Sequence, residues 1–256
     1  MTTMLGNTLK IYVPSASMDT LKQVGNDVPP EAIRHFSEGV SLSQEEKYPE
    51  ALEAYDQALR YKEDSPETWY NKGVVLGRLM KHQEALEAYE QALKYRADFS
   101  DALHNKGVIL VQLGRGQEAS GAFERVYQLG VKEADLYHGW ATASLLHGLE
   151  GLFDQNIRAF EEAVLKYIDI LEKAQQDGMG RVVGEALTRS KAALEVEAKE
   201  GRVDEGLLEA IEEVELGIRL LSIKDPFEGA RALAKELSKV WPEGVTAEEA
   251  IREQRE

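Results

Sequence analysis

The sequence contains no cysteine. That absence excludes disulfides, thiol nucleophiles and thiolate-ligated zinc. Long apolar runs are missing too: nothing approaches the roughly 20 residues that span a bilayer. Positive charge is scarce, with 30 Lys and Arg against 46 Asp and Glu, a formal charge of −16 over 256 residues. A field of that sign repels phosphate backbones and anionic lipid, so neither nucleic acid nor a membrane surface is an expected partner. The opening MTTMLGNTLKIYVPSASM has no basic segment followed by a long apolar one. A secretory signal is therefore not expected, and the expected location is cytoplasmic. Its TLKIYV run reads either as a short strand ending at Pro14 or as a frayed leader.

Signals for catalysis are equally few. Gly178-Met179-Gly180-Arg181-Val182-Val183-Gly184 lacks the preceding strand and the Lys-Ser/Thr ending of a phosphate loop, and reads as a helix joint. The five histidines, His35, His82, His104, His138 and His147, form no metal-ligand spacing. The acidic series from Glu195 to Glu215 has no accompanying histidine and reads as a solvated face. No catalytic residue, metal or cofactor is expected, and the chain reads as a non-enzyme. Apolar residues at 43% are enough for a core, and 30% charged residues argue against wholesale disorder.

What the sequence does contain is a repeat. EALEAYDQALRY at Glu50–Tyr61 returns as EALEAYEQALKY at Glu84–Tyr95. The two differ only at Asp56/Glu90 and Arg60/Lys94, both conservative in charge. The offset that carries Glu50 to Glu84 also aligns Trp69-Tyr70-Asn71-Lys72-Gly73 with Leu103-His104-Asn105-Lys106-Gly107. Four columns hold this register: Gly39/Gly73/Gly107, Ala51/Ala85/Ala119, Tyr55/Tyr89/Phe123 and Ala58/Ala92/Val126. Trp69, Gly73 and Leu76, like His35, Gly39 and Leu42, fall on one face of a helix. Small residues mark where two helices approach closely, and the aromatics fill the space beside them. Ser65 is placed to cap a helix starting at Pro66, with Glu67 favouring the positive end of its dipole. Ser100-Asp101 repeats that signal. Breaks fall near Lys47-Tyr48-Pro49, Met80-Lys81-His82 and Leu113–Gly116. One such helix pair cannot bury both faces, so neighbours must stack.

A 34-residue period with these columns resembles the tetratricopeptide repeat (TPR) family. The resemblance is specific over residues 32–65, 66–99 and 100–133. It implies an all-α, right-handed solenoid of helical hairpins with additional C-terminal helices. The sequence departs from the family where proline is usual near the repeat end, having Glu63, Ala97 and Val131. Residues 134–167 read as a degenerate fourth repeat. Its first helix falls near Asp135–Leu149, with Tyr137 and Ala141 in the aromatic and small slots. Its second falls near Gln155–Ile170, with Phe160 and Ala163, and a short insertion around His147–Phe153 shifts its register. Residues 1–31 form a leader. Residues 168–256 form a helical extension with apolar-periodic segments near Val182–Ala198, Val203–Leu221, Phe227–Val240 and Ala247–Gln254, either an eroded repeat or a cap.

The resemblance also implies a function: a scaffold or adaptor whose concave groove holds a peptide or protein segment. The groove would be lined by Phe36, Tyr70 and His104, by Val40, Val74 and Val108, by Asn71 and Asn105, and at its edge by Arg78 and Gln112. Two plainer readings stay open. The apolar rows can serve as core, and the two asparagines as local bonds that fix neighbouring helices. The clamp by which family members hold a terminal carboxylate is largely missing. Its first-repeat positions carry Phe36 and Val40, its third-repeat positions Asp101 and Asn105, and only Asn71 matches. A ligand with apolar anchors and some positive charge fits better. Two alternatives accompany this reading: a regulator whose own C-terminal helices occupy the groove, and a structural scaffold that self-assembles end to end.

Overall fold

The computed structural model describes residues 28–153 and 157–188. Among these residues the chain is helical with no strand. Six helices form three hairpins: α1 (Pro30–Gln44) with α2 (Tyr48–Tyr61), α3 (Pro66–Arg78) with α4 (His82–Tyr95), and α5 (Ser100–Gln112) with α6 (Gly116–Gln128). Two longer helices follow, α7 (Ala134–Phe153) and α8 (Ile157–Gln176), and residues 180–188 are again helical. This is the expected all-α solenoid of stacked hairpins.

Each hairpin turn is built the same way. Glu46, Met80 and Gly114 occupy equivalent positions in successive repeats, in the left-handed region at φ 59°, 59° and 77°. The next backbone N–H, of Lys47, Lys81 or Arg115, donates to the carbonyl of Leu42, Leu76 or Leu110 at 2.9 Å. The N–H groups of Glu46, Met80 and Gly114 donate to Ser43, Gly77 and Val111 at 3.0–3.1 Å. Both bonds together are the Schellman closure, which satisfies carbonyls left over at the end of the first helix. At the opposite end of the stack, Ser65 caps α3 as expected, its Oγ accepting from Thr68 N at 3.3 Å. Ser100 does not repeat this. The cap position of α5 belongs to Phe99, and Ser100, already inside the helix, donates to Asp101 Oδ1 at 3.5 Å. The sequence signal is displaced by one residue, so its hydroxyl cannot reach the free N–H groups.

Inside each hairpin, the glycine column lies against the aromatic column. A methyl group added at Gly39, Gly73 or Gly107 would sit 2.6, 2.7 or 2.8 Å from the ring of Tyr55, Tyr89 or Phe123. The absent side chain is the space the ring fills. Between hairpins, each first helix rests on the preceding second helix through one stripe at i, i+4, i+7 and i+11. In α3 the stripe is Thr68, Lys72, Val75 and Leu79; in α5 it is Ala102, Lys106, Ile109 and Leu113. Val75 and Leu79 join Ala51, Tyr55 and Ala58 of the first hairpin in one apolar cluster. The lysines reach back: Lys72 Nζ lies 2.6 Å from Asp56 Oδ1 and Lys106 Nζ 2.9 Å from Glu90 Oε1. Glu124, the next acid in that column, is met from α8 by Lys166 at 2.7 Å. Such half-exposed pairs are each worth about 1 kcal/mol at most.

The stripe continues into α7 as Leu136, Trp140 and Ala143, all buried. Trp140 takes the lysine position, and its Nε1 donates to Ser120 Oγ at 3.0 Å. A methyl group at Gly116 would lie 2.5 Å from the His147 backbone nitrogen, so α7 passes unusually close to the start of α6. The short insertion expected near His147–Phe153 is absorbed as extra length of α7, and α8 runs past Ile170 to Gln176. The TLKIYV segment, the Phe160 side chain and the segments expected beyond residue 188 lie outside the described residues.

Candidate protein-binding face

The first helices α1, α3 and α5 present their expected rows in register, but most of those side chains face inward. Phe36 packs on Tyr55 with ring centroids 6.0 Å apart. Tyr70 packs on Tyr89 at 5.9 Å and on Phe99 at 5.0 Å. His104 meets the edge of Phe123 at 5.4 Å. Phe36, Tyr70, Val74 and Val108 are buried, Val40 and His104 are half-buried, and Arg78 is exposed. The aromatic row therefore spends its surface on the second-helix aromatic of its own hairpin. Phe36, Tyr70 and His104 stand three residues before Gly39, Gly73 and Gly107, and so share the helix face on which the second-helix ring packs.

The asparagines divide. Asn71 Nδ2 donates to the Glu67 carbonyl at 2.9 Å, a bond inside its own helix. Asn105 is fully buried, and its Nδ2 donates to the Tyr70 hydroxyl at 3.1 Å, joining α5 to α3. The Asn105 bond is of the kind that fixes neighbouring helices; the Asn71 bond stays within α3. Burial pushes the hydroxyls of Tyr55 and Tyr89 far above the usual tyrosine range, so both stay neutral.

At the C-terminal ends of α3 and α5 the face is more open. Arg78 is exposed, and Gln112, its counterpart in the next repeat, is half-buried with its Oε1 enclosed and without a hydrogen-bond partner among the described residues. At the N-terminal ends a cluster appears that repeat alignment does not disclose. The Arg96 guanidinium lies 3.7 Å from the centre of the Phe99 ring and pairs with Glu67 at 2.8 Å. Burial raises the Asp101 carboxyl above its usual range, opposed by the Ser100 hydroxyl and by Arg96. Burial lowers the His104 imidazole, opposed by the Asp135 charge, so its neutral form is favoured. Repeat comparison misses Arg96 because its counterparts are Lys62, paired with Asp64, and Gly130. The one available signal was an Arg three residues before an aromatic. Among the described residues no group of three or more His, Asp or Glu could hold a metal ion, and no helix is long and apolar enough to cross a membrane.

Comparison with curated protein sequences gives no match. Comparison with family profiles gives two, a TPR repeat over residues 39–79 and a tetratricopeptide repeat over residues 66–99. Among solved structures, the chain is similar to YrrB, described as a TPR protein with an unusual peptide-binding site. The identity is 20%, covering 84% of this chain and 97% of that one, with a TM-score of 0.49. It is also similar to the first TPR of Spaghetti (RPAP3) bound to the HSP90 peptide SRMEEVD, at 21% identity over 47% of this chain and 96% of that one, TM-score 0.45. A third is the Sgt2 TPR domain from Aspergillus fumigatus, at 21% identity over 49% and 83%, TM-score 0.44. The profile matches fall on the hairpins whose glycines, aromatics and turns recur in one fixed register, and residues 39–99 carry tetratricopeptide repeats.

Proposed function

We propose that the chain is a protein-interaction scaffold that holds a peptide or protein segment along its first helices. The observation that carries this is the matched pair at their C-terminal ends. Arg78 offers exposed donors, and Gln112 offers an enclosed oxygen that no described residue satisfies. An unmet buried acceptor costs about 1–3 kcal/mol, which a partner's N–H would recover. Val40, Asn71 and His104 would supply the half-open remainder of the surface, with Phe36, Tyr70, Val74, Asn105 and Val108 beneath them. The missing carboxylate clamp and the charge of −16 favour a partner with apolar anchors and some positive charge. The cytoplasmic setting and the absence of enzymatic activity belong to the same proposal.

The test is affinity capture from a native lysate with the wild type and with Arg78→Ala combined with Gln112→Ala, followed by calorimetry on a peptide from the captured protein. Neither residue belongs to the apolar core, so the fold is retained. Affinity is expected to fall roughly tenfold, the size of one lost charge-assisted bond. Undiminished affinity would remove this face. Tyr70→Ala is the poorer probe, since it also strips the contacts to Tyr89 and Phe99.

A second reading is that the chain itself closes this face and a partner opens it. Burial of Tyr70, Val74 and Val108 within the chain's own packing favours it. The C-terminal helices that the sequence suggests as occupant lie mostly outside the described residues. Hydrogen exchange separates the two: a partner docking on an open face slows exchange throughout, whereas a partner that displaces a cover speeds it in the displaced segment.

A further inference from the structure

The ring column Tyr55/Tyr89/Phe123 is uniform in shape but not in its hydroxyls. In the first hairpin the Ser43 hydroxyl lies beside that of Tyr55 and acts on its oxygen. A serine hydroxyl can accept as well as donate. The third hairpin has neither group: Phe123 supplies the ring and Val111 takes the serine position. The second keeps the hydroxyl and drops the serine, because the position holds the buried Gly77. The two hairpins are otherwise alike, with a methyl group at Gly39 or Gly73 meeting the ring at 2.6 or 2.7 Å. Gly77 therefore stands against the Tyr89 hydroxyl where Ser43 stands against that of Tyr55. Tyr89 is fully buried, and its hydroxyl has no hydrogen-bond partner among the described residues. Asn105 and Arg78 both act on its oxygen, one as a donor and one as a positive charge. In those roles neither supplies the acceptor that an O–H requires. Gln112 has the opposite need. It is the counterpart of Arg78 on the next first helix, on the same side of α5 as Asn105, and its enclosed Oε1 lacks a donor among the described residues.

We propose that the buried Tyr89 hydroxyl is a recognition group of this face, donating to a main-chain carbonyl of an extended segment whose N–H groups serve Gln112. The inference rests on the scaffold reading above and names the chemistry that its site takes. An extended main chain carries one carbonyl and one N–H at each residue, so it meets both needs without a charged terminus. Arg78 is the movable part. Its side chain is exposed and its charge reaches the Tyr89 oxygen, so an outward swing opens the way to the hydroxyl beneath. Leaving a buried polar group unpaired is costly, and pairing it on binding returns that cost to the complex. Gly77 is what keeps the group unpaired until then. A serine there would satisfy Tyr89 from within, as Ser43 is placed to do for Tyr55. Tyr89 thus sets the second hairpin apart from its neighbours, although the three rings occupy one column.

The probe is N-acetylglycine N-methylamide, a compact piece of main chain, added to the full-length protein with its tyrosines carbon-13 labelled at Cζ. The Tyr89 signal is the one lost in Tyr89→Phe. It is expected to shift saturably with the probe in the wild type, to need roughly tenfold more probe in Gln112→Ala, and to stay fixed in Gly77→Ser. A wild-type signal that does not move, or one that moves equally in Gly77→Ser, would overturn the proposal and leave the hydroxyl to a trapped water only. Thermal unfolding of Tyr89→Phe gives a second decision that needs neither probe nor Gly77→Ser. The ring and its packing are kept, so removing an unmet hydroxyl should leave the midpoint unchanged or raise it. A clear fall would mean that the group is already satisfied inside the fold, and the proposal would fail. Because the probe is not the captured partner, this result stands apart from the Arg78→Ala and Gln112→Ala capture. Weakened capture beside a silent Tyr89 would sink this inference and spare the scaffold reading.

Discussion

At Gly107 an added methyl group would meet three atoms of the Phe123 ring at 2.8–2.9 Å. The ring is fully buried, so it cannot swing away without moving its neighbours. Gly121 lies in the interior of α6 with nothing within 4 Å of the equivalent point. Alanine is the better helix former by about 1 kcal/mol at either site. Gly107→Ala is therefore expected to destabilise by about 1–3 kcal/mol through overpacking, and Gly121→Ala to stabilise by about 0.5–1 kcal/mol. Urea denaturation reads both, and the same sign at the two sites would refute the role given to the glycine column. That column was legible in the sequence because a missing side chain and a ring must recur together. The asparagines were legible only as alternatives. An amide at a repeat position has the same spelling whether it grips a partner or a neighbour. Asn71 bonds within its own helix to Glu67, whereas Asn105 bonds across to Tyr70 of the neighbouring one.

Among the elements, the hairpin turns carry the most uniform geometry and the least uniform sequence. Glu46, Met80 and Gly114 share one left-handed conformation, yet only the third is the residue that conformation favours. A side chain there costs roughly 1 kcal/mol. Met80 is largely exposed and loses little packing on removal. Met80→Gly should then raise stability by about 0.5–1 kcal/mol, and Gly114→Ala should lower it by about 1 kcal/mol, both readable as shifts in thermal midpoint. A drop in stability for Met80→Gly would mean that the turn is held by contacts of the side chain instead. The positions of these breaks were readable from the repeat register, but their conformation was not, since nothing in Lys47-Tyr48-Pro49 or Met80-Lys81-His82 spells a left-handed residue. Ser100 shows the converse: a correct cap residue one position late bonds to Asp101 and leaves the helix start to Phe99.

Across the whole molecule the apolar interior is unequal. One large cluster joins the second and third hairpins to α7, α8 and the helix over 180–188. The first hairpin belongs to a small one, Phe36, Ala51, Tyr55 and Ala58, to which α3 contributes the fully buried Val75. In a stacked array each unit is stabilised by its own packing and by its interface with the next. Among the described residues the first hairpin has an interface on one side only, and that interface is built on Val75 and Leu79. It should open ahead of the rest, with α1 and α2 amides the least protected among the hairpins. Val75→Ala removes two methyl groups from the contact and leaves the second hairpin's own glycine–aromatic pair intact. The expected cost is about 2 kcal/mol, felt in α1 and α2 as roughly thirtyfold faster exchange with little change in α5 and α7. Exchange that rises equally in all four helices would mean that the hairpins unfold as one unit. In that case the small cluster would be an uneven patch of a single cooperative core.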